Sequence, residues 1–172
     1  MDRALQKKIS GLLDGQKLGI LATQGLSYPY QNIVAFAVAG DLKSIVFATR
    51  RATSKYRNLK RRKRVAIFFD DRVNRASDFQ EATGVTALGV AKEARGEGRA
   101  RPARLLRRRH PFLKEFLAAP DCAIFVIRVR TYIVVLHFQE TIEVRVGGGK
   151  ETAVPAGNGP AIVGKRKKRG FL

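Results

Sequence analysis

One segment of the sequence joins a strand to a helix and collects phosphate-binding groups: FATRRATSKYRNL, residues 47–59. The run Ser44 to Thr49 predicts a strand, and Thr53 or Ser54 can cap a helix that continues to Lys60. Free N–H groups at a helix N-terminus, hydroxyls, a lysine and an arginine together suit a phosphate. A solvated basic helix with an ordinary N-cap is an equally weighted alternative. No glycine-rich Walker or dinucleotide motif is present, which disfavours those nucleotide folds.

Short strands dominate the sequence on both sides of this segment. Apolar runs predict strands at 18–23, 28–38, 44–49, 65–69, 83–91, 123–129 and 132–138, and an edge strand at 141–146. Helices are expected at 2–13 and at 102–117, where Pro111 interrupts the second, and residues 72–80 form a polar loop. A parallel doubly wound sheet needs a helix between most strands, and this sequence lacks them. A mainly β fold is therefore expected, an antiparallel barrel with peripheral helices.

The net charge of +20 is concentrated in three stretches of the 172-residue chain. Residues 50–64 hold nine basic side chains and no acid, residues 92–114 hold nine against two acids, and residues 165–169 add five. The clusters Arg107–Arg109 and Lys165–Arg169 suit nucleic acid, an anionic membrane or a polyanionic cofactor. Aromatic residues are sparse there and no nucleic-acid-binding motif is visible, so solvated charge that attracts small anions is favoured.

Length and composition predict one cytoplasmic domain. The single cysteine excludes an internal disulfide, and the longest apolar run, residues 33–39, is too short to span a bilayer. The N-terminus does not have the pattern of a signal peptide. Residues 1–146 are expected to form the domain, and residues 147–172, rich in Gly, Pro and Lys, a flexible basic tail.

The histidines and the cysteine provide no obvious catalytic group. His110 is expected to be a structural or surface residue, and His137, in an apolar strand, a core or interface residue. Cys122 is interpreted as core filler. Because these three residues are dispersed, no zinc site is expected, and no catalytic residue is identified.

Several segments, in their order and spacing, resemble the pyridoxamine 5′-phosphate oxidase-like FMN-binding split barrels. The resemblance covers most of residues 5–138. Residues 18–23 and 28–36 resemble the first hairpin of that barrel. Residues 45–49, 54–55, 58–59 and 64–67 resemble its phosphate-binding strand-helix-strand. Residues 70–74, 78–79 and 85–91 resemble one branch of the family. The resemblance implies an antiparallel Greek-key split barrel that binds FMN.

The same resemblance implies a homodimer with one FMN in each of two clefts between the subunits. Three groups of residues would contact the cofactor: Thr49, Arg50, Thr53, Ser54 and Lys55 at the phosphate, Gln31, Asn32, Ile33 and Val34 along the isoalloxazine ring, and Arg72 and Asn74 near the ring or ribityl chain. A deazaflavin or haem takes the place of FMN in related barrels.

The implied activity is FMN-dependent oxidation or reduction of a small molecule. The family's namesake enzyme ends in a tryptophan-containing, arginine-rich motif that binds substrate phosphate, and this chain contains no tryptophan. Vitamin B6 is therefore not the expected substrate. The alternative function is a flavin- or anion-binding module without turnover, which contacts nucleic acid through its basic patches.

Overall fold

A computed structural model describes residues 3–137, 140–146 and 152–154. Its strands are β1 (Leu18–Gln24), β2 (Pro29–Val38), β3 (Ser44–Arg50), β4 (Arg64–Asp70), β5 (Gly84–Ala94), β6 (Cys122–Leu136), β7 (Glu140–Arg145) and β8 (Thr152–Val154). Its helices are α1 (Arg3–Gly15), α2 (Ser54–Arg61), α3 (Asp78–Glu81), α4 (Ala100–Arg109) and α5 (Lys114–Ala118). No helix within these ranges is long and apolar enough to cross a membrane.

Six antiparallel strands close into a barrel. They follow the order β3-β2-β1-β4-β5-β6, and β3 also pairs with β6, which closes the ring. The long β6 pairs with β3 through residues 44–50 and 122–128, and then with β7 through residues 131–136. Because β3 and β4 are not neighbours, the chain returns through α2, whose Leu59 is buried in the barrel core. This mainly β split barrel with peripheral helices confirms the expected fold class.

Buried and more exposed side chains alternate along the strands, so one set faces the barrel interior and the other its outer face. In β1, β4 and β5 every second residue is buried, including Leu21, Ile67 and Val85. A second apolar cluster forms outside the barrel, where Leu106 of α4 and Leu117 of α5 pack on Val46 and Ile124. Full burial of each such side chain contributes about 1.5–3 kcal/mol. The basic helix α4 is thus attached to the barrel by its apolar face.

The break at Pro111 is confirmed, since α4 ends at Arg109 and α5 begins at Lys114. His110 lies between them, buried, with Nε2 2.7 Å from the carbonyl oxygen of Phe36, so its structural role is confirmed. Cys122 is buried in the outer apolar cluster, as expected of core filler.

Three local predictions were wrong. The expected strands 123–129 and 132–138 are one strand, because β6 changes partner from β3 to β7 without a turn. Residues 141–146 are not an edge strand, because β8 pairs with β7. His137 is not a core residue, because it lies in a turn with φ 45° and its side chain is 68% exposed, while its expected place at an interface stays a prediction.

The structure describes all of the expected loop at residues 72–80 but only part of the expected C-terminal tail. The loop predicted at 72–80 contains the start of the short helix α3. The domain limit at residue 146 stays a prediction, and β8 lies beyond it. The rest of the expected tail, including Lys165–Arg169, lies outside the described residues.

Candidate functional site

Threonine hydroxyls organise the N-terminus of α2. Thr53 caps the helix: its Oγ1 accepts a hydrogen bond from the N–H of Tyr56 at 3.3 Å and donates one to the carbonyl oxygen of Arg50 at 2.8 Å. Oγ1 of Thr49 lies 2.9 Å from Oγ1 of Thr53. The end of β3 is thereby fixed against the start of α2, as an N-cap residue with an extended backbone allows.

The two residues that follow the cap keep free donors. The N–H groups of Ser54 and Lys55 lie in the first turn, where no intrahelical acceptor exists. Oγ of Ser54 accepts a hydrogen bond from Arg57 at 2.9 Å and still has its own proton to donate. Lys55 is partly buried, and its ammonium group has no partner among the described residues. We call Thr49, Thr53, Ser54 and Lys55 the α2 cradle.

Arg50, also expected at the phosphate, is already engaged. Its Nη1 donates to Oδ1 of Asp121 in an ion pair, and its guanidinium lies over the ring of Phe116, 4.9 Å from the centroid. A phosphate in the cradle would have to compete with Asp121 for this side chain. The structure therefore places Arg50 at the edge of the cradle, but its charge is already paired with that of Asp121.

A short chain of hydrogen bonds joins the cradle's helix to the first hairpin. Nδ2 of Asn58 donates to Oγ1 of Thr23 at 3.1 Å, and that hydroxyl donates to the carbonyl oxygen of Tyr30 at 3.2 Å. Thr23 is buried, so both bonds are partly shielded from water. The helix is thus fixed beside the residues that directly precede Gln31.

One edge of β2 is open at Gln31, Asn32, Ile33 and Val34. On the other edge these residues pair with β1, but β3 pairs with β2 only at residues 36–38. Backbone N–H and C=O groups on the open edge therefore have no strand partner in the described chain, and such groups are strong hydrogen-bonding sites. Ile33 is 68% exposed on the outer face.

Asn32 carries an unsatisfied buried oxygen. Its Oδ1 is inaccessible to solvent and has no hydrogen-bond partner among the described residues. A buried acceptor without a donor costs about 1–3 kcal/mol, so this position fits a ligand that supplies an N–H group.

A family profile described as pyridoxamine 5′-phosphate oxidase matches residues 5–135, which include the cradle and β2. The chain belongs to the pyridoxamine 5′-phosphate oxidase family. This confirms the resemblance noted in the sequence. No curated protein sequence matches the chain.

Solved structures agree on the fold of this family member. A haem-binding protein from Mycobacterium smegmatis is 18% identical with a TM-score of 0.74, and the match covers 84% of this chain and 59% of that one. A Clostridium acetobutylicum protein related to general stress protein 26, of the pyridoxine phosphate oxidase family, is 16% identical with a TM-score of 0.68, over 85% and 97% of the two chains. Campylobacter jejuni ChuZ is 15% identical with a TM-score of 0.74, over 100% and 68%. At such identities the likeness shows the fold alone.

Arg72 and Asn74 are not joined to the cradle within the described chain. They follow the C-terminal end of β4, whereas α2 leads into its N-terminal end. Nε of Arg72 pairs with Asp70 at 2.8 Å, and Asn74 has a φ of 61° in a loop whose amides bind the Asp78 carboxylate. Backbone N–H groups lower the pKa of Asp78 despite the opposing effect of desolvation.

Sequence reasoning missed an ion-pair cluster beside the cradle. The Glu93 side chain, only 7% exposed, lies 2.8 Å from Nη1 of Arg51 and 2.6 Å from Nη2 of Arg95. Its carboxylate raises the pKa of Arg95 through this hydrogen bond and its charge. Tyr56 Oη donates to the same carboxylate at 3.5 Å. Glu93 is 42 residues from Arg51, so no local pattern pointed to this pair.

Within the described ranges, no three His, Cys, Asp or Glu side chains lie close enough to share a metal ion. The site's polar groups are instead hydroxyls, amides and one unpaired ammonium. This set suits an anion with hydrogen-bonding oxygens better than a cation.

Proposed function

We propose that this member of the pyridoxamine 5′-phosphate oxidase family is an FMN-binding flavoprotein with oxidoreductase activity. The observation that carries the proposal is the α2 cradle beside the open edge of β2. The cradle offers two free amides, a hydroxyl and the unpaired ammonium of Lys55. A phosphate is the anion that such groups at a helix N-terminus bind well.

The remaining groups suit the flavin part of the molecule. The open backbone edge of residues 31–34 supplies donors and acceptors for the polar edge of an isoalloxazine ring. The orphaned Oδ1 of Asn32 suits a ring N–H. We include Arg72 and Asn74 as contacts of the ring or ribityl chain in the proposed homodimer. Arg50 joins the phosphate contacts once it leaves Asp121.

FMN, when bound, supplies hydride transfer at its N5 position. The chain's own groups would bind FMN and orient its ring. Lys55 and the first amides of α2 neutralise the phosphate, while the backbone of β2 holds the ring and its N–H groups favour negative charge there. No side-chain nucleophile is required, which agrees with the scarcity of acid–base residues in the described site.

A homodimer is part of the proposal, with FMN between the subunits. The first hairpin exposes large apolar side chains: Leu18, Leu26, Tyr28 and Ile33 are each more than half exposed. Several exposed apolar side chains on one hairpin are typical of an association surface. A second copy of the chain on this face would cover the open edge of β2 and shield a bound ring from water.

The phosphate contact is tested by comparing FMN with riboflavin, which lacks the phosphate. Lys55→Gln should weaken FMN binding about 10- to 150-fold, since a direct charge-assisted contact contributes about 1.5–3 kcal/mol, and leave riboflavin binding unchanged. Lys60→Gln, on the exposed far end of the same helix, is the matched control and should bind both flavins as the parent does. Equal FMN affinity in the parent and the Lys55 variant would exclude Lys55 as a ligand.

Turnover separates the enzyme from the alternative, a flavin- or anion-binding module without catalysis. Bleaching of the bound flavin by NADH or NADPH, followed by reoxidation with an added acceptor, supports an oxidoreductase of small molecules. A flavin that binds but is reduced by neither donor supports the binding module.

Haem and deazaflavin are the second candidates for the cofactor. The similar fold of the M. smegmatis haem-binding protein is the observation that favours haem. Within the described chain, however, His110 and Cys122 are buried, which leaves His137 as the accessible histidine. Titration with haemin, followed by its absorbance, and mass analysis of the copurified cofactor distinguish these candidates from FMN.

A further inference from the structure

A second basic surface lies at the C-terminal end of α2. It consists of Lys60, Arg61, Arg62, Lys63, Arg64, Lys92 and Arg128, and we call it the α2–β6 surface. All seven side chains are exposed, and none forms an ion pair with a described residue. The charge is therefore not neutralised locally, and its repulsion in the free protein would be relieved by an anionic partner.

The strand register places these cations on one face of the barrel. Arg64 of β4 pairs with Val90 of β5, and Val90 pairs with Arg128 of β6. Directly paired residues share a face, and neighbouring strands lie about 4.8 Å apart, so the two arginine backbones are about 10 Å apart. Lys92, two residues from Val90, lies on this same face.

A groove of about 340 Å³ lies beside this row of cations. Its lining includes Lys60, Lys63, Lys92 and Arg95, together with the carboxylate of Glu93. Glu93 is 7% exposed and already bonded to two arginines, so it does not offset the lysine charges. The groove thus offers an anion several cations at once.

We propose that the α2–β6 surface binds the phosphate backbone of a nucleic acid. A line of regularly spaced phosphates matches a row of cations that extends from a helix end across three strands. Arginine is suited to bidentate phosphate contacts, and four of the seven residues are arginines. The proposal does not depend on FMN, because none of these residues belongs to the α2 cradle.

The composition of the surface favours backbone contact with a duplex. Its seven residues include no aromatic side chain on which single-stranded bases could stack. It also lacks exposed large apolar side chains, which are elsewhere in the described chain, at Ile33 and Phe112 for example. A surface that inserts into a membrane interface would present such side chains.

The test measures binding of the full chain to a fluorescent 20-base-pair duplex across a salt series. The test variant carries Lys60→Gln, Lys63→Gln and Lys92→Gln. The control variant carries Arg104→Gln, Arg107→Gln and Lys114→Gln, three exposed cations that line a separate groove on α4 and α5. Both variants lose three charges and keep residues 165–169, so they differ only in the place from which charge is removed.

We expect the test variant to bind at least tenfold more weakly at 100 mM salt. Its slope of log affinity against log salt should become shallower by up to about 2.7, since each duplex phosphate contact contributes about 0.9. The control variant should bind close to the parent. Circular dichroism of both variants verifies that they are folded.

Three outcomes would overturn the proposal. In the first, the parent chain does not bind the duplex at 100 mM salt. In the second, both variants lose the same affinity, which shows that net charge alone attracts the DNA. In the third, vesicles with anionic lipids bind with the expected variant pattern while the duplex does not.

Discussion

Asn58 donates a hydrogen bond from Nδ2 to Oγ1 of Thr23 across 3.1 Å and so joins α2 to the first hairpin. Thr23 donates onward to the carbonyl oxygen of Tyr30, the residue before Gln31. The helix that carries the cradle and the strand with the open edge are therefore held by one buried hydroxyl. This connection adds to the β2–β3 pairing in fixing the relative position of the two halves of the candidate site.

Removal of this connection should destabilise the protein. Asn58→Ala leaves Thr23 without its donor, so the free energy of unfolding should fall by about 1 kcal/mol. Urea denaturation followed by circular dichroism measures the change. Gln24→Ala, at an exposed neighbouring position, should unfold like the parent. Coincident unfolding curves for all three proteins would show that the bond does not contribute.

Release of Arg50 should strengthen phosphate binding. Asp121→Asn replaces the carboxylate that pairs with Arg50 by a neutral amide, so the guanidinium becomes available to the cradle. We expect tighter FMN binding with unchanged riboflavin binding, measured by flavin fluorescence. In the double variant Arg50→Gln, Asp121→Asn the gain should disappear. If it persists, Asp121 acts on the cradle by its own charge and not through Arg50.

Gly89 should not tolerate a side chain. A Cβ at this position would lie 2.5 Å from the carbonyl oxygen of Arg128 and 2.8 Å from Cγ2 of Ile127, where the β5–β6 register shifts. Gly89→Ala should lower the free energy of unfolding by about 2 kcal/mol or more. Gly11→Ala, in the interior of α1 with nothing within 4 Å, should raise it by about 0.5–1 kcal/mol. A Gly89 variant as stable as the parent would contradict the close approach of these strands.

Cys122 should be protected in the native state. Burial raises the pKa of its thiol, although a hydrogen bond with Arg99 opposes this effect. The folded thiol keeps its proton at pH values where the unfolded thiol ionises, so the free energy of unfolding falls as pH rises through the unfolded pKa. Cys122→Ala should lose this dependence.

The same protection should slow chemical modification of the thiol. If reaction requires a local opening of about 3 kcal/mol, labelling by a thiol reagent is roughly 150-fold slower than in urea. Equal labelling rates in native buffer and in urea would show that Cys122 is accessible. The comparison is made at one pH, so that thiolate reactivity itself does not differ.

Local pattern was sufficient for much of the fold. Apolar runs at residues 18–23 and 65–69 predicted strands, and the structure buries every second residue of each. A cap at Thr53 or Ser54 followed from residue type, and the structure selects Thr53, whose hydroxyl accepts from an N–H three residues on. Both features depend on contacts between near neighbours in the chain.

Other expectations failed where a residue's role depended on distant partners. The sequence 129–132 suggested a break, but residues on β3 and β7 pair with one continuous β6. His137 has strand-like neighbours, yet it lies at the turn that leads into β7 and is exposed. The residues of a strand alone do not determine which strand it pairs with or where it ends.

The sequence by itself indicated the barrel class and a helix cap at Thr53 or Ser54, and it predicted a phosphate site at residues 49–55, because these inferences rest on short strands and residue chemistry. Only the tertiary structure decided that Asp121 holds Arg50, that β2 keeps an open edge at residues 31–34, and that Arg64 and Arg128 share one face. Strand register and closure of the barrel join residues far apart in the chain. Such pairings follow from packing of the whole core, which no local segment encodes.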